Sequence, residues 1–241
     1  MLLVRPERHR YGPNGSQRAD LYVPRSGGGP FPVAIAIHGG YWRARYGKRL
    51  ERPVATDLIR RGIAVWNIEY RRLGRGGGWP ATFDDVAAAI DHLAELHDPR
   101  LDLERVTAFG HSAGGQLALW AAARKHARVK IGRVCGQAAV CNLAVAGETA
   151  RELMGGGPDD VPERYARADP MQLVPLGVPI LLVHGAEDAT VPVRRSRRFA
   201  EAARAAGDDV TLIEPNPGGH RAHIDPRSEA WAIAARFIAA P

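Results

Sequence analysis

The chain has 241 residues, 45% of them hydrophobic and 24% charged, with a formal net charge of +7. These values fit one medium globular domain, and two cysteines, Cys135 and Cys141, are too few for a disulfide framework and read as buried free thiols. The excess charge is almost all scattered arginine, with lysine only at 48, 125 and 130, and no nucleic-acid-binding motif accompanies it, so no nucleic-acid partner is expected. Residues 1–7 show no long apolar leader, and no run of about 18 apolar residues follows, so a cytoplasmic protein with no membrane partner is expected.

In chain order, strand-like runs alternate with helical patterns. Residues 17–23 and 33–38 predict two strands joined by a loop over 24–32. Residues 48–61 predict a helix stopped by Gly62, and 63–68 a buried strand. After a glycine-rich loop over 74–80, Thr82 with Asp85 three residues on predicts a capped helix running to Leu96, with Val86, Ala89, Ile90, Leu93 and Ala94 at helical spacing. Strand 105–109, a turn, and a helix to about His126 come next, followed by strand 132–140. Strands over 180–184 and 210–213, with helices over 193–206 and 226–239, complete the chain. The rhythm predicts a single α/β domain over 1–241, with a mostly parallel twisted sheet and helices on both faces. Residues 142–176 break the rhythm and read as a short cap or lid-like insertion. Trp66 and Trp120 are expected in the core and Trp231 on the last helix face, while His9, His92, His97 and His126 read as ordinary surface histidines.

The sharpest chemical signal is Gly110-His111-Ser112-Ala113-Gly114, a G-x-S-x-G set between a strand and a helix. A serine on that sharp turn is a nucleophile elbow. Serine needs a base to take its proton and a third group to orient the base. Asp188 follows one predicted strand end and His220 another, giving the order Ser, Asp, His, at the end of a parallel sheet where ligands bind. Glu187 is the rival acid and His223 the rival base. His220 is preferred because Gly218-Gly219 gives it a flexible approach. The amide of Ala113 and the loop His38-Gly39-Gly40-Tyr41-Trp42 are expected to supply donors for the oxyanion of an acyl-transfer intermediate.

Together these residues resemble the α/β-hydrolase superfamily across nearly the whole chain. His38-Gly39-Gly40-Tyr41-Trp42 resembles the H-G-G-x-W motif of kynurenine formamidase (arylformamidase) and related esterases. Glu69-Tyr70-Arg71-Arg72 is similar to a Tyr-Arg segment of hormone-sensitive-lipase-like esterases, and His184-Gly185-x-x-Asp188-x-x-Val191-Pro192 to the acid-bearing segment of esterases and prolyl-oligopeptidase-like hydrolases. The resemblance implies Ser112 as nucleophile, Asp188 as acid, His220 as base, and Gly39, Gly40 and Ala113 at the oxyanion hole, with no cofactor and no metal. It implies a serine hydrolase acting on a small-molecule ester or related amide. Arylformamidase activity and prolyl-oligopeptidase-like peptidase activity are the alternatives, with a non-catalytic binding protein of the same fold as a further one. Tyr41 stands where lipase-like members have a third glycine, and Glu69 where an Asp is usual. Tyr41, Trp42 and Trp79 are candidate pocket walls, with Trp42 expected to pack under the oxyanion loop. Monomer and homodimer both remain open.

Overall fold

The computed structural model describes residues 5–216 and 218–240. Met1–Val4, within the stretch read for a leader, and Pro217, before the Gly218-Gly219 approach, lie outside the described residues. Eight strands form one sheet: β1 (Glu7–Arg10), β2 (Arg18–Tyr22), β3 (Phe31–Ile37), β4 (Ala64–Ile68), β5 (Leu101–His111), β6 (Arg133–Gln137), β7 (Ile180–Val183) and β8 (Val210–Ile213). Their spatial order is β1-β2-β4-β3-β5-β6-β7-β8. The two pairings of β2 are antiparallel, and every pairing from β4 to β8 is parallel.

Eight α-helices cover the sheet: α1 (Arg52–Arg60), α2 (Ala81–Asp91), α3 (Ala113–Ala122), α4 (Glu148–Met154), α5 (Pro162–Ala168), α6 (Pro170–Leu173), α7 (Arg194–Ala205) and α8 (Glu229–Ala239). Side chains alternate along each strand, so the parallel strands β3 to β7 each feed two cores. Val33, Ile35 and Ile37 of β3 pack with Val86 and Ile90 of α2, Leu117 of α3 and Phe199 of α7. Ala34 and Ala36 face the other way, with Val54 and Leu58 of α1 and Trp231 and Ala234 of α8. Trp66 and Trp231 are fully buried, and each indole N–H has an acceptor: the Ala89 carbonyl for Trp66 and Asp57 Oδ2 for Trp231, both at 2.8 Å. Trp120, expected in the core, is only partly buried, because its indole N–H reaches across the surface to the Arg167 carbonyl. Both cysteines are buried free thiols. No helix among the described residues is long and apolar enough to cross a membrane.

Several local expectations shift, each for a physical reason. β1 has no apolar run to announce it; it is a charged edge strand, Glu-Arg-His-Arg, of the kind that discourages further pairing. The helix expected over 48–61 starts as a 3-10 turn (Lys48–Glu51), and α1 begins around Pro53, whose missing N–H is harmless in a first turn. Thr82 does not cap α2, which starts at Ala81. Its hydroxyl donates to the Arg71 carbonyl (2.7 Å) and accepts from the Gly78 amide (3.0 Å), while Asp85 takes a two-pronged contact from the Arg71 guanidinium. Both residues tie the loop after β4 to α2, a long-range use that local spacing cannot reveal. The helix after the elbow ends at Ala122 and β6 at Gln137, both shorter than expected. Residues 142–176 hold α4, α5 and α6.

Glu51 is fully buried, and neither carboxyl oxygen has a partner among the described residues. Burial pushes its pKa up to about 8 from 4.5. The folded state therefore holds this proton more tightly than the unfolded chain. The associated stability is complete below about pH 4.5 and is lost as pH rises through about 8. Glu51→Gln is expected to gain stability over the parent as pH rises from about 5 to about 8, by roughly 3 to 4 kcal/mol. Urea midpoints at both pH values check this; a difference independent of pH would show that Glu51 titrates normally.

Candidate active site

β3, β5, β7 and β8 all end at one edge of the sheet, and the loops that follow carry the site. After β5 the chain turns sharply into α3, with Ser112 at φ 58°, ψ −117°. That backbone conformation is costly for a residue with a Cβ and persists only where its surroundings enforce it. Here the Ser112 amide donates to the Gln137 carbonyl of β6 (2.8 Å), and the Ser112 carbonyl accepts from the Gln116 amide (3.2 Å). Gly114 sits so close to β3 that a Cβ would overlap the Ile37 carbonyl. The small residues of the G-x-S-x-G set are thus a packing requirement between two strand ends.

The loop after β3 is strained in the same way. Gly40 (φ 111°), Tyr41 (φ 57°) and Trp42 (φ 53°) are all left-handed, and only the first is a glycine. The segment after β4 holds this loop. Glu69 Oε1 lies 2.7 Å from His38 Nε2, the Tyr70 hydroxyl donates to the His38 carbonyl (2.7 Å), and the Tyr70 and His38 rings stack at 4.4 Å. Arg72 pairs with Glu69 at 3.1 Å and also donates to the Tyr46 carbonyl. Burial alone would raise the Glu69 pKa, but His38, Arg72 and the Lys48 amide together hold it below the usual carboxylate range. The Trp42 amide region is closed by the Leu73 amide donating to the Trp42 carbonyl (2.8 Å). No backbone carbonyl among the described residues accepts from the amides of Gly40, Tyr41 or Ala113, so these donors are free.

Asp188 follows β7 and is buried, while its neighbour Glu187 is exposed. Asp188 Oδ1 accepts the amides of Thr190 (2.8 Å) and Val191 (2.9 Å). Its Oδ2 lies 2.7 Å from His220 Nδ1 and 3.2 Å from His184 Nε2. Burial would raise the pKa of this carboxyl, but the hydrogen bonds from His184, His220 and Val191 outweigh it and hold the group ionised well below the usual range. His220 opens a 3-10 turn (His220–Ile224) after β8. With Nδ1 turned to Asp188, its Nε2 is left as the nitrogen able to accept a proton.

The structure thus brings Asp188 and His220 into contact and sets Ser112 on the same sheet edge. The Ser112 hydroxyl makes no hydrogen bond among the described residues. His223 is fully buried, both its ring nitrogens lack partners among the described residues, and burial pushes its pKa down to about 3. A group so placed stays neutral and out of reach of Asp188.

Two histidines carry roles that spacing did not disclose. His111, the variable residue of the elbow, is buried, and its Nε2–H donates to the His220 carbonyl (2.8 Å) with the two rings 4.5 Å apart. Burial holds its pKa well below the ordinary value. His184 is also fully buried. Its Nε2 faces two acceptors, the Val191 carbonyl (2.7 Å) and Asp188 Oδ2, so that nitrogen carries the proton. Its Nδ1 lies 2.7 Å from Ser196 Oγ of α7. The signal for His184 was present in the His184-Gly185-x-x-Asp188 spacing; its contact with Asp188 was not.

A cavity of about 110 Å³ opens beside Ser112 and Ala113, bounded by Tyr41, Trp42, Val191 and Arg195. Tyr41 is 45% exposed and stands at its mouth. Trp42 is buried, and its indole N–H donates to Gln116 Oε1 (3.2 Å), so it is both a wall and a support. Trp79 is not among the lining residues. Its ring packs on Phe83 (5.2 Å) with the Arg167 guanidinium over it, so this expected pocket wall belongs to the packing around α2 and α5.

The chain is similar to known proteins. The family model named BD-FAE matches residues 19–203. Esterase LipQ of Mycobacterium tuberculosis is 29% identical, over 88% of this chain and 56% of its own length. A probable isoprenylcysteine alpha-carbonyl methylesterase, ICME, of Oryza sativa subsp. japonica is 26% identical, over 84% of this chain and 55% of its own. The chain therefore spans about half the length of these curated relatives. A solved structure, a truncated form of a carbohydrate esterase from gut microbiota, superposes with a TM-score of 0.84 at 21% identity, covering 98% of this chain and 96% of that one. The fold is that of the α/β-hydrolases, and with the family model matched from β2 into α7, the chain belongs to the BD-FAE family.

Proposed function

We propose that the protein is a serine hydrolase that cleaves small carboxylic esters through an acyl-enzyme. The observation that carries this reading is the 2.7 Å contact of His220 Nδ1 with Asp188 Oδ2 on the sheet edge that also bears the strained Ser112 turn. In this mechanism Ser112 Oγ attacks the ester carbonyl carbon and its proton passes to His220 Nε2. The oxygen of the tetrahedral intermediate takes the negative charge and is met by free amides of the 39–41 loop and of Ala113. Collapse breaks the bond from the acyl carbon to the alcohol oxygen, and His220 returns its proton to that oxygen. Water, deprotonated by His220, then attacks the acyl carbon; the bond to Ser112 Oγ breaks, and the proton goes back to the serine. Asp188, ionised throughout, stabilises the imidazolium and fixes its tautomer.

The small cavity favours a short acyl or alcohol group, since about 110 Å³ holds only a few heavy atoms. Ala146, Glu148 and Thr149 contribute to its wall, so the 142–176 segment acts as a short cap over the site.

A fluorophosphonate probe is expected to label Ser112; a folded protein that stays unlabelled would end the enzyme reading. Ser112→Ala is expected to lower hydrolysis of p-nitrophenyl acetate by about a thousandfold or more. His220→Asn is expected to abolish activity, whereas His223→Asn retains it; the reverse result would exchange the two roles. His184→Leu removes a donor from Asp188 Oδ2, and an expected fall in kcat of about ten- to a hundredfold, with KM little changed, is read from steady-state kinetics. His184→Gln, which retains an N–H at similar reach, is expected to recover part of that loss. A panel of esters of rising acyl length, with N-formylkynurenine beside them, checks the small-ester assignment.

A further inference from the structure

Arg195 is the second residue of α7 and lines the cavity that contains Ser112 and Ala113. It is the half-buried arginine of its helix, where Arg194, Arg197, Arg198 and Arg204 are exposed. Arg197, two residues on, is matched by Glu214 through two contacts at 2.8 and 2.6 Å. The side chain of Arg195, half-buried, makes one hydrogen bond among the described residues, from Nη2 to the Val145 carbonyl at 2.8 Å. A guanidinium carries five N–H donors, so most of this one is unspent. Arg195 forms no ion pair with a carboxylate among the described residues; burial, and after it the like-charged Arg194, lowers its pKa. Glu148 lines the same cavity but is exposed at the first turn of α4, where water solvates it and the helix N-terminus favours its charge. Asp169, the buried carboxyl of this region, is turned to the Ala144 and Met171 amides.

A half-desolvated cation without a counter-ion is expensive, and a guanidinium fork is shaped to receive a carboxylate on two prongs. We infer that Arg195 is the anion-recognition residue of this site and that the substrate is a short ester carrying a carboxylate within a few atoms of the scissile carbonyl. This inference rests on the serine-hydrolase reading. The small cavity sets the distance: an anion seated on Arg195 and a carbonyl at Ser112 must belong to one compact molecule. The carboxylate can sit in the acyl part or in the leaving alcohol, and the two sources are separable by substrate.

The test compares p-nitrophenyl acetate, which is neutral, with mono-p-nitrophenyl succinate, charged in the acyl part, and 4-acetoxybenzoate, charged in the leaving group. The native protein is expected to prefer one charged ester over the neutral one in kcat/KM, and added salt to weaken that preference. Arg195→Gln is expected to lower the charged-to-neutral ratio by about ten- to a hundredfold, with Arg195→Lys between the two. A ratio unchanged in Arg195→Gln, or a native preference for the neutral ester over both charged ones, would overturn the inference. If the native protein cleaves none of the three and takes up no fluorophosphonate, the hydrolase reading has failed, and calorimetric titration with succinate decides the recognition step alone. Succinate bound by the native protein and lost in Arg195→Gln sustains the anion site; no binding by the native protein ends it.

Discussion

The close approach of two backbone turns, one after β3 and one after β5, is the constraint on which the rest of the site depends. Gly114 lies against the Ile37 carbonyl, and a Cβ on Gly39 would overlap the carbonyl of His111. Neither contact tolerates a side chain, so the amides of the 39–41 loop and of Ala113 are held in one small region without any side-chain donor. Strain follows from the same geometry. Ser112, Tyr41 and Trp42 occupy left-handed backbone that their own side chains disfavour, and the sheet and its flanking contacts must hold them there.

Two buried carboxylates stabilise that strain from behind. Glu69 gathers His38, Arg72 and the Lys48 amide, and so fixes the loop after β3 from its far side. Asp188 gathers two amides and two imidazoles, and so fixes the His220 ring. Each is a negative charge taken out of water and matched by several donors, the condition under which burying a charge is sustainable. The contrast with Glu51 is instructive. That carboxyl lies as deep but without partners, and its proton affinity rises where theirs falls.

Much of this was legible in the sequence because it is local. The inner parallel strands announce themselves as apolar runs buried on both faces, and Ser112, Asp188 and His220 each follow a strand end in chain order. What stayed hidden depends on contacts between distant segments. β1 has only polar residues and becomes a strand by pairing with β2. Thr82 and Asp85 match a capping pattern but spend their hydrogen bonds on the loop after β4. Trp79 lies near the glycine-rich loop in sequence, yet the fold turns it toward Phe83. Arg195 is one arginine among many, and the cavity it lines and its partial burial distinguish it within its helix. Periodicity and spacing report which face a residue occupies, not which far segment will meet it there.

His111 occupies the position of the elbow motif that pattern matching treats as free. Through its bond to the His220 carbonyl, it clamps the turn after β8 onto the residue covalently joined to Ser112. Serine and histidine sit 108 positions apart in the chain, yet this clamp makes them neighbours in one mechanical unit. A fluctuation that lifts the histidine turn must strain the elbow, and a displaced elbow pulls the turn with it. The variable position of the motif thus ties the turn that carries Ser112 to the turn that carries His220, through one side-chain-to-backbone bond.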